Sequence, residues 1–197
     1  DWALYDKNSG YYMKKNPFGK EGDFITAPNI TRLFSEIIAV WIITFWKSIG
    51  SPQKFNLFEL GAGNGEMMKV IIETLKNFPD CFAACNFIIH EKSDFLINYQ
   101  KKNLKPDKIS WIKDIKKINS KPTLFLANEF FDALPIKQFF KKKEDWFERF
   151  VELNDQKKAK YTEKKTDIKI VEKNLEFEIS KKQNIIEYSP KTFKYLK

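Results

Sequence analysis

Phe55-Asn56-Leu57-Phe58-Glu59-Leu60-Gly61-Ala62-Gly63-Asn64-Gly65-Glu66 is the stretch on which the reading of this chain turns. An apolar run of strand type (Phe55, Leu57, Phe58, Leu60) enters glycines at alternate positions, and apolar residues at helical spacing follow (Met67, Met68, Val70, Ile71, Leu75). The pattern predicts a strand, a tight turn and a helix over 66–77. Glycines at such a turn let the backbone take positive φ and let a ligand approach with no Cβ in the way, while the helix start offers free N–H groups. The expectation is a site for a small polar ligand.

The residues around the glycines narrow the ligand. Neither the dinucleotide fingerprint G-x-G-x-x-G nor the phosphate loop G-x-x-x-x-G-K-[ST] is present. What stands here is Glu59-x-Gly61-x-Gly63-x-Gly65, and a carboxylate beside the loop repels a pyrophosphate but suits a ligand carrying an ammonium and a sulfonium. This resembles the first motif of S-adenosylmethionine-dependent methyltransferases. Asn86 to His90 reads as a second buried strand with Glu91 at its C-terminal end, where an acid can accept both ribose hydroxyls. The competing reading is a glycine turn with two solvated acids.

Composition bounds the alternatives. A chain of 197 residues, 43% hydrophobic with 19 Phe, suits one domain with a packed core. The apolar run 37–46 is interrupted by Thr44 and too short to span a bilayer. Cys81 and Cys85 lack metal partners at useful spacing and read as reduced thiols. The net charge of +9 invites a nucleic-acid partner, yet only Arg32 and Arg149 are arginines. Lysine is a flexible point charge poorly suited to bidentate recognition, and the lysines are interspersed with acids, so a solvated surface is the expectation.

Upstream, residues 1–28 are punctuated by Gly10, Pro17, Gly19, Gly22 and Pro28, with aromatics between them, and read as an ordered arm. From Asn29 to Ile49 the spacing of Ile30, Leu33, Phe34, Ile37, Ile38, Trp41 and Phe45 predicts a helix buried on that face, ended by Gly50, Ser51 and Pro52. Gly10-Tyr11-Tyr12, Gly22-Asp23-Phe24-Ile25-Thr26-Ala27-Pro28, Phe34-Ser35-Glu36 and Asn128-Glu129-Phe130-Phe131-Asp132-Ala133-Leu134-Pro135 resemble the MidA family. These are S-adenosylmethionine-dependent methyltransferases that include the mitochondrial complex I assembly arginine methyltransferase. Asn29 stands where family members usually have Glu, and Ser35 where they have Gly.

Downstream of the glycine loop the sequence predicts a loop at Pro79, a helix near Asp94 to Asn103, and a strand Ile109 to Ile112 ending at Asp114. In methyltransferases that this chain resembles, an acid at that place commonly faces the adenine amino group; an exposed loop acid is the alternative for Asp114. Trp111 reads as a packing residue, with a place against the adenine as the alternative. His90 reads as packed or hydrogen-bonded rather than as a base. Thr123 to Ala127 is the fourth strand, delivering Asn128, Glu129 and Asp132 to the edge where class I methyltransferases place catalytic groups. Glu129 and Asp132 are three apart, so in a helical turn they share a face and could both meet a guanidinium, which must be positioned for attack. A pair of acids at a helix N-terminus would look the same.

Beyond Pro135, Ile136 to Phe140, Trp146 to Leu153 and Lys158 to Tyr161 read as strands of a β meander, and residues 162–184 as a lysine-rich, weakly patterned, mobile segment. Trp146-x-Glu148-Arg149-x-Val151 and Glu187-x-Ser189-Pro190 also match the family. Family members continue past this Ser-Pro into further strands, so the chain reads as a fragment whose fourth strand would be an exposed edge, poorly soluble alone.

The expected fold is thus an α/β Rossmann-like class I methyltransferase sheet, its first four strands present, with an N-terminal helical arm (1–53), a cofactor-binding core (54–135) and an inserted meander (136–197). The resemblance implies S-adenosylmethionine as cofactor, held by Glu59, Gly61, Gly63, Gly65, Glu91 and Asp114, with Asn128, Glu129 and Asp132 orienting the acceptor. It further implies a protein arginine on a complex I subunit as acceptor, and a bacterial cytoplasmic or mitochondrial matrix location. The rivals are a methyltransferase of RNA or small molecules, against which the absence of N-P-P-[YF] counts, and a non-catalytic assembly factor.

Overall fold

A computed structural model describes residues 2–19, 22–104 and 108–196, and the chain divides after Ala133 into two units. In the first unit, the short helices α1 (Trp2–Tyr5), α2 (Tyr11–Lys14) and α3 (Ala27–Ile30) form the arm. Its aromatic side chains pack on one another: Tyr12 stacks on Phe18 at 5.9 Å, and Tyr11 sets its edge against Phe24. The long helix α4 (Arg32–Ser48) follows, started by Thr31, whose hydroxyl accepts the Leu33 N–H at 3.3 Å.

Strand β1 (Phe55–Leu60) is buried at every residue, which fits a central parallel strand covered on both faces. Helix α5 (Glu66–Leu75) leaves the glycine loop and buries Met67, Met68, Val70, Ile71 and Leu75. A short helix α6 (Pro79–Ala84) starts at Pro79, where a loop was expected; proline is well placed at a first helical position because its missing N–H has no partner to lose there. Next come β2 (Cys85–His90), α7 (Asp94–Leu104), β3 (Ile109–Ile112) and β4 (Thr123–Leu126). The four strands are parallel in the order β3-β2-β1-β4, so β4 is an edge strand, and Phe125 on it is half exposed.

Register brings the strand ends together where the site lies. Leu60 is level with His90, and His90 with Ile112, so Glu91 leaves β2 beside the start of the glycine loop. Cys81 and Cys85 are buried free thiols in this core. Burial raises both thiols, Cys81 to about 11, which keeps them protonated and inert.

Helix α4 turns a different face inward from the one its spacing suggested. Ser35, Ala39, Ile42, Ile43 and Trp46 are buried, while Leu33 and Ile37 are each 58% exposed and Trp41 49%. The helix is apolar nearly all round, so periodicity does not choose a side. Size does: Ser35 and Ala39 let α4 approach α5 closely, and the Trp46 indole N–H reaches the Pro52 carbonyl at 3.0 Å.

The second unit is an antiparallel sheet of β5 (Lys137–Lys142), β6 (Asp145–Leu153), β7 (Ala159–Thr166) and β8 (Ile185–Tyr188), in the order β7-β6-β5-β8. Helix α8 (Ile168–Leu175) closes one face, with Phe139, Trp146, Val171 and Leu175 as the core, and α9 (Pro190–Leu196) ends the chain's described part. The segment 162–184, read as unpatterned, thus carries the end of β7 and all of α8. Its strand half is hidden in the sequence because charges occupy outward positions, as in the Lys142–Glu163 ion pair at 2.6 Å. Its helix is started by Asp167, which accepts the Lys169 N–H at 3.0 Å. Among the described residues, no helix is long and apolar enough to cross a membrane.

The inward face of α4 is testable. Ile42→Ala should lower unfolding stability by about 2–5 kcal/mol, and Ile37→Ala by less than about 1 kcal/mol, in denaturant titrations. The reverse ranking would put the sequence-expected face inside.

Candidate functional site

The glycine loop is held rigid from several directions. Gly61 N–H donates to the His90 carbonyl at 2.9 Å, tying the loop to the end of β2, and Gly65 N–H closes the turn on Ala62 at 2.8 Å. Gly61 (φ +66°) and Gly63 (φ +56°) occupy the left-handed region, and a Cβ would stand 2.7 Å from the Phe130 ring at Gly61 and 3.2 Å from the Phe18 ring at Gly63. Only glycine meets both demands at Gly61. Two amides that sequence reasoning missed complete the cradle. Asn64 donates to Asn29 of the arm at 2.7 Å, and the fully buried Gln100 of α7 donates to the Gly63 carbonyl at 2.8 Å. Trp111 donates its indole N–H to Gln100 at 2.8 Å, so it braces the loop rather than lining a ligand face. Amides of this kind carry no periodic signal; only their position after folding gives them a role.

Glu59 is the decisive side chain. It stands one residue from the end of β1, 3% exposed, and its Oε2 has no hydrogen-bond partner among the described residues. Burial first, and then the nearby Glu91 carboxylate, push its pKa up to about 8. At neutral pH its protonated form is therefore favoured. Glu59 shares a cavity of about 50 Å³ with Phe18, Gly61, Gly63, Asn128 and Glu129. Pockets that enclose drug-sized ligands run to ~300–1,000 Å³, so a larger ligand must open this one.

Glu91 is 7% exposed at the end of β2. Its Oε1 accepts the N–H groups of Lys92 (2.8 Å) and Ser93 (3.0 Å), and Oε2 lies 3.5 Å from the Gln100 amide. Burial outweighs those bonds and raises its pKa. Glu91, like Asp114, is not among the residues that line the cavity. His90, between the two acids in sequence, is buried and set 3.2 Å from the Ile112 carbonyl, with its ring over Phe58; burial lowers its pKa, in keeping with a packed neutral imidazole.

Beyond β4 the expected helical turn does not form. Residues 128–134 are bends and turns, and Glu129 takes φ +48°, a left-handed conformation rare for a residue with a side chain. Glu129 and Asp132 therefore do not share a helix face. Asn128 and Glu129 line the cavity, and both Glu129 and Asp132 are exposed. Asp132 stays near the site, since it and Glu91 both act electrostatically on Tyr12. Asp114 is exposed and accepts the Lys116 N–H at 3.1 Å, starting a 3-10 turn, and it does not line the cavity.

A parallel sheet with a glycine loop after its first strand, an acid after its second and polar groups after its fourth is a Rossmann-like fold of the class I methyltransferase type. The chain belongs to the family described as "Putative S-adenosyl-L-methionine-dependent methyltransferase", whose model matches residues 37–197. It is 30% identical to the bovine "Protein arginine methyltransferase NDUFAF7, mitochondrial" over 78% of this chain and 40% of that one. To the Caenorhabditis elegans homolog of that name it is 35% identical, over 73% of this chain and 39% of the relative. The chain thus spans about two fifths of the length of these curated relatives. A Burkholderia thailandensis crystal structure bound to S-adenosyl-homocysteine shares the fold, with a TM-score of 0.80, 20% identity, and coverage of 98% of this chain and 51% of that one.

The residues present fit the family's cofactor at one point above all: a buried carboxyl with an oxygen unpartnered among the described residues suits an ammonium, and Gly61 and Gly63 line the same cavity. The raised pKa of Glu59 carries a stability cost with a definite sign. A carboxyl whose folded pKa exceeds its unfolded one favours folding most at low pH, and the benefit is lost as pH rises towards about 8. Glu59→Gln, which removes that titration, should therefore stabilise the ligand-free chain at pH 7 by on the order of 2 kcal/mol and flatten its stability between pH 5 and 8 in thermal melts.

Proposed function

We propose that the chain binds S-adenosylmethionine and directs its methyl to an arginine nitrogen of a protein. The observation that carries this reading is the unpartnered Oε2 of Glu59, buried at the glycine loop in a cavity that Asn128 and Glu129 also line. When bound, the cofactor supplies a methyl group on a sulfonium that needs no further activation. Glu59 takes the ammonium of the methionine end, and ionises in doing so. Glu91 takes a ribose hydroxyl on Oε2. Asp114, exposed and outside the cavity, is the weakest of the assigned groups, and an adenine contact would require its loop to close.

The acceptor side falls to Asn128, Glu129 and Asp132. The carboxylates of Glu129 and Asp132 attract a guanidinium and hold it in line, and proximity supplies most of the rate. Each methyl added displaces one proton from the attacked nitrogen. An exposed carboxylate can take that proton and pass it to solvent. The strained backbone at Glu129 aims the site from an edge strand rather than from a helix. Arginine is favoured over other acceptors by the names of the mitochondrial relatives, which also favour a mitochondrial location, and the family resemblance alone suggests a complex I subunit as target.

Calorimetric titration of the chain with S-adenosylmethionine tests the cofactor half. Binding should weaken by about tenfold or more in Glu91→Gln, which keeps the shape but loses charge-assisted hydrogen bonding. In a full-length relative carrying this site, Glu129→Gln and Asp132→Asn should each lower methyl transfer to arginine peptides while leaving cofactor affinity within about threefold, since the effect falls on transition-state positioning. A folded chain that binds no cofactor would overturn the reading.

A further inference from the structure

The arm supplies the wall that faces the glycine loop. Three consecutive ring atoms of Phe18 lie 3.2–3.4 Å from where a Gly63 Cβ would stand, and the ring lines the cavity that holds the free oxygen of Glu59. Phe18 does not stand alone. Its ring is parallel to that of Tyr12, with 6° between planes and 5.9 Å between centroids, and Tyr12 packs in turn on Tyr5 at 5.7 Å. The stack is pinned to the core at the cofactor acid itself. Ser93 Oγ donates to the Tyr12 carbonyl at 2.6 Å, while Ser93 N–H donates to Glu91 at 3.0 Å. The Asn64–Asn29 bond fixes the other end of the arm to the glycine loop.

An aromatic wall on a cofactor site has a chemical consequence. The face of a benzene ring attracts a cation more strongly than a neutral thioether of the same size, which gains only a weaker sulfur–aromatic contact. Methyl transfer turns a sulfonium into such a thioether, so the ring distinguishes substrate from product at the atom that changes. We propose that Phe18, held by its stack on Tyr12, contacts the cofactor and selects the sulfonium form over the spent thioether. The inference rests on the cofactor reading above and adds to it a role for the arm. Phe18 covers Gly63 in a cavity of about 50 Å³, so a cofactor that reaches the glycine loop there meets this ring. Glu59 and Glu129, which line the same cavity, add to the preference for positive charge. Tyr12 adds no negative charge to the site: burial, with Asp132 and Glu91 near, raises its phenol pKa and keeps it neutral.

The test compares affinities for S-adenosylmethionine and S-adenosylhomocysteine by calorimetry on the 197-residue chain. Phe18→Leu keeps apolar volume without a π face, and Phe18→Tyr restores the ring. The expected result is a loss of about tenfold for the sulfonium in Phe18→Leu, under about twofold for the thioether, and recovery in Phe18→Tyr. Equal losses for both ligands would reduce Phe18 to a cover and overturn the selection. No change for either ligand would remove it from the site. If the unaltered chain binds neither ligand, the cofactor reading fails and this inference falls with it, an outcome distinct from a wild-type chain that binds both and a variant that binds the same.

Discussion

Everything at the candidate site depends on a carboxyl that the fold takes out of water and leaves half satisfied. Glu59 lies on a central strand buried on both faces, and its Oε2 meets no donor among the described residues. Such a group costs stability, and sheets of this kind bury apolar residues at nearly every other place. Burial, and then Glu91, push its pKa up to about 8, which favours the protonated form at neutral pH. On the cofactor reading, a cation of the right shape would reverse that choice, so the cost in the empty state would become selectivity in the filled one.

The surroundings of Glu59 make sense as support for that exchange. The loop backbone is fixed by the Gly61–His90 bond and by Gln100, itself braced by Trp111, so the cavity wall does not collapse onto the unpaired oxygen. Glu91 is rigidified by two backbone N–H groups, and its charge is the second cause of the raised Glu59 pKa. One acid thus tunes the other. Glu129 and Asp132 are set differently: both are exposed, and Glu129 carries local backbone strain at its left-handed φ. A cationic methyl donor needs an enclosed, acidic pocket, whereas a protein acceptor needs reach.

The sheet and the glycine loop were legible because each rests on a local rule. Buried strands are continuous apolar runs, and a loop of alternate glycines after such a run has few other uses. The inward side of α4 was not legible, since Leu33, Ile37 and Trp41 are as apolar as Ile42 and Ile43, and what decides is the small size of Ser35 and Ala39 against α5. Glu129 and Asp132 do follow the fourth strand, but the helical turn expected of them does not form; a left-handed residue has no sequence signal unless it is glycine or asparagine. Gln100, Asn64 and Phe18 act through partners 35 to 45 residues away, as with Asn64 on Asn29, Gln100 on Gly63, and Phe18 on Gly63, which no local pattern encodes. In the second unit the charged second half of strand β7 and helix α8 passed for a weakly patterned segment because their outward faces dominate the composition.

The central claim is that a cationic cofactor ionises Glu59. The most direct measurement is proton release on S-adenosylmethionine binding at pH 7, obtained by calorimetry in buffers of differing ionisation enthalpy. With the free carboxyl at a pKa of about 8 and the bound one ionised, close to one proton should be released per cofactor, falling towards none in Glu59→Gln. Binding with no proton released by the unaltered chain would mean that Glu59 does not meet the cation, and would contradict the account.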